Sequence, residues 1–158
     1  MSKIALSSKG HEREQQPAPA AQAAPAPAYQ IAIKPVSFFR QSEETDLTNV
    51  HKLVTAMLDT ATWTTPIPVT KDHGIVMDGN HRLRAAKLLG LRYVPCIPLD
   101  YQDPRVSVLH WTTNEPFCID TIYRTIMSNG VFQYKTTKHS FSPALPTTDI
   151  PLRLLATG

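Results

Sequence analysis

Residues 75–90 read IVMDGNHRLRAAKLLG and carry the strongest structural signal in the chain. The three apolar residues at 75–77 predict the end of a short strand. Residues 82–89, rich in Ala and Leu, predict a two-turn helix that Gly90 stops. Between strand and helix, unpaired backbone N–H groups and the positive end of the helix dipole converge. We therefore predict that residues 78–82 form a phosphate-handling turn and the functional centre of the protein.

Each residue of this turn has a candidate role. Gly79 allows a phosphate to approach the backbone closely, and the N–H groups around Asn80 face the same anion. Arg82 offers a two-pronged donor, His81 can donate or shuttle a proton, and Asp78 can hold a metal ion through water or orient His81. The residue types also allow a structural interpretation, in which Asp78 caps the helix and His81 and Arg82 are solvated first-turn residues.

Upstream, the alternation in residues 29–34 predicts a first strand that ends at Lys34, before Pro35. Residues 42–61 (SEETDLTNVHKLVTAMLDTA) predict a helix capped by Asp46 or Thr45. Its buried stripe is expected to consist of apolar residues at three- and four-residue steps, namely Leu47, Val50, Leu53, Val54, Met57 and Leu58.

Further strands are predicted at residues 67–69 and 74–77 as neighbours in one sheet, at 93–99 near a sheet edge because of its prolines, and at 106–111. A helix is predicted at 116–128, with Asn129-Gly130 as its stop and an apolar face made by Ile119, Ile122, Tyr123 and Ile126. Residues 131–158 lack periodicity and are expected to form a tail or a loop wrapped onto the active face. The predicted fold class is α+β, with a small mixed β-sheet and about three helices.

Composition divides the 158-residue chain in two. Residues 15–28 contain only Gln, Pro and Ala, which offers nothing large to bury. We therefore expect residues 1–28 to be a disordered Ala/Pro-rich tail and residues 29–158 to be the folded domain. Neither a membrane span nor a secretory signal is expected, so the predicted location is cytoplasmic, with no membrane partner.

Charge and cysteine content narrow the function classes. Cys96 and Cys118 lack metal-ligand spacing and are expected to be buried, inert free thiols. The net charge is +3 and the basic residues are scattered, with no run of four. Small anionic ligands fit this balance at least as well as DNA.

The run DGNHRLRAAKLLG followed by VPC resembles the ParB/sulfiredoxin superfamily, whose members place a Gly-containing turn with a basic residue on nucleotide phosphates. Sulfiredoxins carry a cysteine where this chain has Asn80, so reductase chemistry is disfavoured. The chromosome-partitioning branch reads GERR at the turn and adds DNA-binding and dimerisation domains that we do not expect after Gly90. A DNA clamp is therefore disfavoured.

Three motifs are most similar to the ParB-like free L-serine kinases, over nearly all of residues 29–158. SEETD at 42–46 resembles the family segment HExxD, in which the glutamate is the catalytic base. Glu43 occupies the position of that glutamate, and Ser42 stands in place of the histidine. DGNHR resembles DGHHR, with Asn80 replacing the first histidine. Residues 129–139, NGVFQYKTTKH, resemble a segment that ends FPPKTTRH and helps to bind serine and phosphate; here Gln133, Tyr134 and Lys138 depart from the family pattern.

The resemblance implies a kinase that converts L-serine to O-phospho-L-serine with ATP or ADP and Mg²⁺. Glu43 or Glu44 would accept the hydroxyl proton, unless both are solvated acids that favour the helix dipole. The implied substrate residues are Trp111, for which a core role is equally compatible, and Lys135, Thr136, Thr137, Lys138 and His139.

The alternative function is a ParB-type nucleotide-binding regulatory or DNA-associated module. For the kinase, a specialised amino-acid, siderophore or antibiotic pathway is expected by family resemblance.

Overall fold

A computed structural model describes residues 28–157, so the predicted tail at 1–28 lies outside the described residues except for Ala28. Four helices and seven strands occur in this part of the chain. In order they are β1 (Ala32–Pro35), a 3₁₀ turn (Val36–Phe38), α1 (Leu47–Thr60), β2 (Thr62–Trp63), β3 (Ile67–Thr70), α2 (Asn80–Leu88), β4 (Tyr93–Leu99), β5 (Val106–His110), α3 (Ile119–Met127), β6 (Thr137–Phe141), β7 (Ile150–Pro151) and α4 (Leu152–Ala156).

The main sheet has the order β1-β4-β3, with β4 antiparallel to β1 and parallel to β3. The prediction that residues 93–99 lie near a sheet edge is therefore wrong, because β4 is central and mostly buried. Its prolines are tolerated because each of them pairs with only one of the two flanking strands. Pairing with β3 begins only at Cys96, one residue after Pro95, and pairing with β1 ends at Cys96, before Pro98.

Helix α1 begins where Asp46 accepts a hydrogen bond from the backbone N–H of Thr48, which selects Asp46 over Thr45 as the cap. The helix packs against α2, and its buried residues are Val50 and Met57. Leu47 and Leu58 are 55% and 59% exposed. The prediction that these two residues belong to the buried stripe is therefore wrong. They lie beyond the area that α2 and the core cover.

Residues 74–77 do not form the regular strand that we predicted. They make single bridges instead, Ile75 with Arg40 and Val76 with Val69, the second of which keeps them beside β3 as expected. Thr70 explains the interruption, because its side-chain hydroxyl and backbone N–H bond to the backbone of Ile75 and close a tight turn. The turn leads the chain through the buried residues Val76 and Met77 to the exposed Asp78.

The C-terminal segment is more regular than expected. Instead of a tail or loop alone, residues 131–157 form β6, which pairs antiparallel with β5, and β7, which pairs with β2, before α4 ends the described chain. Helix α3 buries Ile122 and Ile126 as predicted, and Asn129 takes the left-handed conformation that stops it. The predicted α+β class is confirmed, with α4 as an additional helix.

One of the two cysteines is buried and the other is exposed. Cys96 is fully buried, and burial raises the pKa of its thiol to about 11, as suits an unreactive core residue. Cys118 is exposed at the start of α3, so its predicted burial is wrong. No helix within residues 28–157 has the length and apolar content that crossing a membrane requires.

Candidate active site

The turn at residues 78–82 differs from the prediction in where its helix begins. Helix α2 starts at Asn80, two residues earlier than expected, so its free first-turn N–H groups belong to residues 80–82. Gly79 is the capping residue, with a φ of 103° and no side-chain cap, so Asp78 does not cap the helix. The Asp78 carboxylate is largely exposed and lies 3.7 Å from Nη2 of Arg82.

The guanidinium of Arg82 is largely buried rather than solvated. Its Nη1 donates to the carbonyl oxygens of Thr65 (2.8 Å) and Pro66 (2.9 Å). Burial lowers the pKa of Arg82, and Asp78 partly opposes the shift. A Cβ on Gly79 would lie 2.9 Å from the guanidinium carbon, so only glycine leaves room for this arrangement. Part of the Arg82 guanidinium, which was predicted to bind phosphate, therefore anchors the turn to the β2–β3 connection.

The side chain of Asn80 is buried and directed at Ser42. Its Oδ1 accepts the backbone N–H of Ser42 at 2.8 Å, and its Nδ2 donates to the Ser42 hydroxyl at 3.1 Å. That hydroxyl in turn donates to the carbonyl of Val76 at 2.6 Å. The two positions that depart from the family's histidines thus contact each other, and they join the start of α2 to the segment that carries Glu43.

Replacing Asn80 by Ala is expected to lower the free energy of unfolding by about 1–3 kcal/mol, because the buried N–H of Ser42 loses its acceptor. Urea unfolding measures the loss. Asn49→Ala, on the partly exposed face of α1, is the matched control and should change stability by less than about 0.5 kcal/mol. Equal losses in the two variants would show that the buried amide adds nothing.

His81 is also held by the N-terminal segment of α1. Its Nε2 accepts the backbone N–H of Asp46 at 3.0 Å, and its ring meets Tyr134 edge-on, 5.3 Å between centroids. An accepting Nε2 assigns the proton of the neutral ring to Nδ1. The interpretation of His81 as a solvated first-turn residue is therefore wrong, and Nδ1–H is the group that it has left to donate.

Glu43 reaches across the site to the segment before β6. Its Oε1 accepts the backbone N–H of Lys135 at 2.9 Å, and its Oε2 accepts both the N–H (3.0 Å) and the hydroxyl of Thr137. Backbone bonds between Phe132 and residues 42 and 44 reinforce this contact. Glu43 is therefore not a solvated acid. The exposed Glu44 carboxylate has no hydrogen-bond or ion-pair partner among residues 28–157.

Two lysines and two aromatic rings lie beside this contact. The ammonium groups of Lys135 and Lys138 lie 5.5 and 5.6 Å from the centre of the Trp111 ring, and Lys135 is also 5.2 Å from the ring of Tyr134. Trp111 is 42% exposed, so it is not a core residue. Neither ammonium has a carboxylate partner within the part of the chain that the structure describes.

His139, on β6, is held by Tyr101, whose hydroxyl lies 3.0 Å from Nε2. Its Nδ1 is buried and lacks a hydrogen-bond partner within residues 28–157. Burial lowers the pKa of His139 to about 3, so the ring is neutral at physiological pH. The neutral ring adds no charge to the site, and its Nδ1 is enclosed by protein atoms.

All these groups meet in one cavity of about 550 Å³, within the usual size of small-molecule sites. It brings together every predicted site residue except Thr136, whose hydroxyl donates to the carbonyl of Gln133. The predicted residues that line it are Glu43, Glu44, Asp78, Gly79, Asn80, His81, Arg82, Trp111, Lys135, Thr137, Lys138 and His139.

Known proteins with similar sequences match only segments of the chain. Forty-seven residues, 30% of this chain, are 47% identical to an ATP-dependent L-serine kinase of Desulfurococcus mucosus and cover 18% of it. Forty-six residues, 29% of the chain, are 41% identical to a ParB-like protein of Sulfolobus acidocaldarius and cover 23% of it. The matches thus span about a fifth of the length of these curated relatives. No family model matches the chain.

The structural comparison covers most of the chain. A free serine kinase in complex with AMP superposes with a TM-score of 0.74 at 11% identity, over 83% of this chain and 95% of the other. The chain has the fold of the free serine kinases. The predicted resemblance to this ParB-like group is confirmed.

On this serine kinase fold, sequence reasoning missed four residues that line the cavity: Leu53, Met77, Tyr134 and Ser140. It also missed Tyr101, which holds His139 from the beginning of the β4–β5 connection. Leu53 was predicted in the buried stripe of a helix and Met77 in a short strand, and no local pattern indicates that they also face a ligand. Tyr134 was noticed only as a departure from a family proline, although its ring beside His81 gives it a place in the site.

The depressed pKa of His139 predicts an acid-sensitive fold. The unfolded imidazole takes up a proton near pH 6.5, whereas the folded one resists until about pH 3. Its contribution to stability is therefore complete above pH 6.5 and is lost as the pH falls toward 3, with a slope of up to about 1.4 kcal/mol per pH unit. In urea unfolding between pH 7 and 4, His139→Asn should flatten this slope and the exposed control His51→Asn should not. Identical slopes in all three proteins would contradict the prediction.

Proposed function

We propose that this protein is a small-molecule kinase that transfers a phosphoryl group from ATP or ADP to the hydroxyl of free L-serine, giving O-phospho-L-serine. The observation that carries the proposal is that two acids, the first turn of α2 and a lysine-bearing segment line the same cavity. The serine kinase fold and the relative named as an ATP-dependent L-serine kinase support it. Residues 29–158 would form the kinase domain and would act in the cytoplasm, where nucleotide is available.

The nucleotide phosphates would bind at the start of α2. Free N–H groups of residues 80–82 and the helix dipole favour an anion there. Because the Asn80 side chain is bonded to Ser42, its contribution would come from the backbone. Arg82 would add charge through the nitrogen atoms that do not bond to Thr65 and Pro66, and His81 would donate its Nδ1 proton.

Asp78 fits a magnesium ion that is shared with phosphate. Its carboxylate is exposed at the cavity, and Mg²⁺ usually takes one or two carboxylates together with phosphate oxygens. Among residues 28–157 there is no cluster of three or more His, Cys, Asp or Glu that could form an all-protein cage. When bound, Mg²⁺ would neutralise charge on the phosphate oxygens.

Serine would bind at the opposite side of the cavity, between Trp111 and residues 135–139. The lysine ammonium groups there suit its carboxylate, and the neutral His139 ring adds no charge beside them. Lys138 stands where the family has arginine and supplies charge without the planar two-pronged donor. A single point charge fixes the orientation of a carboxylate less firmly.

Glu43 would act as the general base. As the serine oxygen forms its bond to the terminal phosphorus, the bond from that phosphorus to the bridging oxygen breaks, and the hydroxyl proton passes to the carboxylate. The products are phosphoserine, ADP or AMP, and a protonated glutamate that returns its proton to water. Glu44, which lines the same cavity without a partner, is the alternative base.

The direct test uses the full-length chain with Mg²⁺, L-serine, and ATP or ADP, followed by ³¹P NMR. Appearance of phosphoserine is expected with at least one nucleotide. Protein that binds nucleotide but forms no phosphoserine would refute the kinase. Titration with duplex DNA at low salt tests the alternative ParB-type module, and we expect no binding. For the physiological role, a specialised amino-acid, siderophore or antibiotic pathway is our proposal by family resemblance.

A further inference from the structure

The first turn of α2 holds the segment with the two cavity acids at both of its ends. Oδ1 of Asn80 accepts the backbone N–H of Ser42 at 2.8 Å, and Nε2 of His81 accepts the backbone N–H of Asp46 at 3.0 Å. The two acids that line the cavity lie between these contacts in the chain. Two consecutive side chains of one helix therefore determine where the acid-bearing segment runs.

The contact between Asn80 and Ser42 admits only one arrangement of its donors and acceptors. A backbone N–H can only donate, so the amide oxygen of Asn80 faces it and the amide nitrogen faces the Ser42 hydroxyl, 3.1 Å away. The hydroxyl oxygen accepts that bond, and its proton goes to the carbonyl of Val76 at 2.6 Å. Asn80 and Ser42 are only 9% and 5% exposed, so water competes little for these groups.

Helix α2 keeps its place without the Asn80 side chain, whereas the acid-bearing segment does not. Arg82 anchors the helix to two carbonyls of the β2–β3 connection, and Leu83 is buried in the core. The Ser42 N–H, in contrast, has Asn80 as its only acceptor within residues 28–157. Loss of the amide should therefore move residue 42 and the adjacent Glu43, and leave the first-turn N–H groups of α2 where they are.

We propose that Asn80 is a positioning residue that acts through Ser42 and fixes Glu43 against the turn at the start of α2. This inference rests on the proposed function, in which Glu43 is the base and the turn holds the nucleotide phosphates. The backbone N–H groups of the turn would bind phosphate while its side chains place the base, so one helical turn sets the distance between them. That distance matters because the acceptor hydroxyl must lie within hydrogen-bond reach of the base and in line with the phosphorus.

Rates of single and double variants give the first test. Asn80→Ala should lower the maximal rate of phosphoserine formation about 10- to 100-fold in ³¹P NMR assays and leave the nucleotide Kd within about threefold in calorimetric titrations. In a Glu43→Gln background, Asn80→Ala should have no further effect, because a residue that acts through the base has nothing left to position. Losses that multiply in the double variant, or an unchanged rate in Asn80→Ala, would overturn the proposal.

Gly90→Ala is the control for a loss of stability. It places an alanine in the left-handed conformation just after α2, outside the cavity, where an added Cβ meets nothing within 4 Å. At a temperature where all variants are folded, Gly90→Ala should keep the maximal rate within about twofold. A loss as large as that of Asn80→Ala would assign both effects to stability and would overturn the positioning role.

A second measurement does not depend on turnover. Glu43 holds the amides of Lys135 and Thr137, so Asn80→Ala should speed their hydrogen exchange about tenfold relative to the amides of β4. Gly90→Ala should leave this ratio unchanged, and an unchanged ratio in Asn80→Ala would refute the positioning role. The two proposals can fail separately. A wild type that forms no phosphoserine removes the kinase, and the exchange ratio still decides whether Asn80 holds Glu43 in place.

Discussion

Phosphoserine formation is expected to fall at least about a hundredfold when Glu43 is replaced by Gln, because an amide cannot accept the hydroxyl proton as the new P–O bond forms. Nucleotide affinity should change little, since the nucleotide would bind at the start of α2 and not at residue 43. Initial rates measured by ³¹P NMR, with nucleotide binding measured in parallel on the same preparation, separate the two effects.

Glu44→Gln is the informative companion to this variant. It is the neighbouring acid in the same cavity, and its carboxylate has no partner in the described chain. If Glu43 is the base, Glu44→Gln should keep a rate within about tenfold of the wild type. The reverse result, an inactive Glu44→Gln beside an active Glu43→Gln, would assign the base to Glu44. Glu115→Gln, at an exposed acid outside the cavity, controls for the loss of one acid from the surface.

Replacing Gly74 by Ala should destabilise the fold by more than about 3 kcal/mol. Gly74 has a φ of 68°, and an added Cβ would lie 1.9 Å from the carbonyl oxygen of Phe38, closer than any real contact. The backbone on either side would have to move, although the Gly74 carbonyl accepts the N–H of Arg40 at 2.7 Å. Because this turn leads directly into residues 75–78, the shift should also weaken nucleotide binding.

Gly90→Ala is the control for this prediction. Its φ of 70° is nearly the same, but an added Cβ meets nothing within 4 Å. Its cost should be only that of a left-handed alanine, about 1–2 kcal/mol. The difference between the two variants in urea unfolding measures the steric effect, and equal losses would disprove it.

These two glycines illustrate how far sequence alone could go. Gly90 was predicted to stop a helix and follows the end of α2, whereas Gly74 was placed in a predicted strand. Nothing local distinguishes a glycine that faces open space from one packed on the backbone of residue 38. The same limit explains the error at β4, whose prolines indicate an edge strand until the registers of β1 and β3 are known.

Local chemistry was sufficient for features that depend on near neighbours. The pattern of residues 42–61 predicted α1 and its cap, and residues 75–90 predicted the turn and helix whose resemblance led to the serine kinase fold. Such features form because capping bonds and helical periodicity involve residues only a few positions apart. The prediction of an anion site at this turn came from the same short-range argument.

Tertiary structure decided where the polar side chains go. Only packing shows that Asn80 bonds to Ser42, that Arg82 anchors to the carbonyls of residues 65 and 66, and that Glu43 is held by Thr137, 94 positions away. A side chain's partner is chosen by which donors and acceptors the folded backbone leaves unsatisfied nearby, and that depends on the whole topology. The sequence by itself determined an α+β fold with a tight turn before α2, whereas the tertiary structure joined that turn to Glu43 and to the segment that holds it.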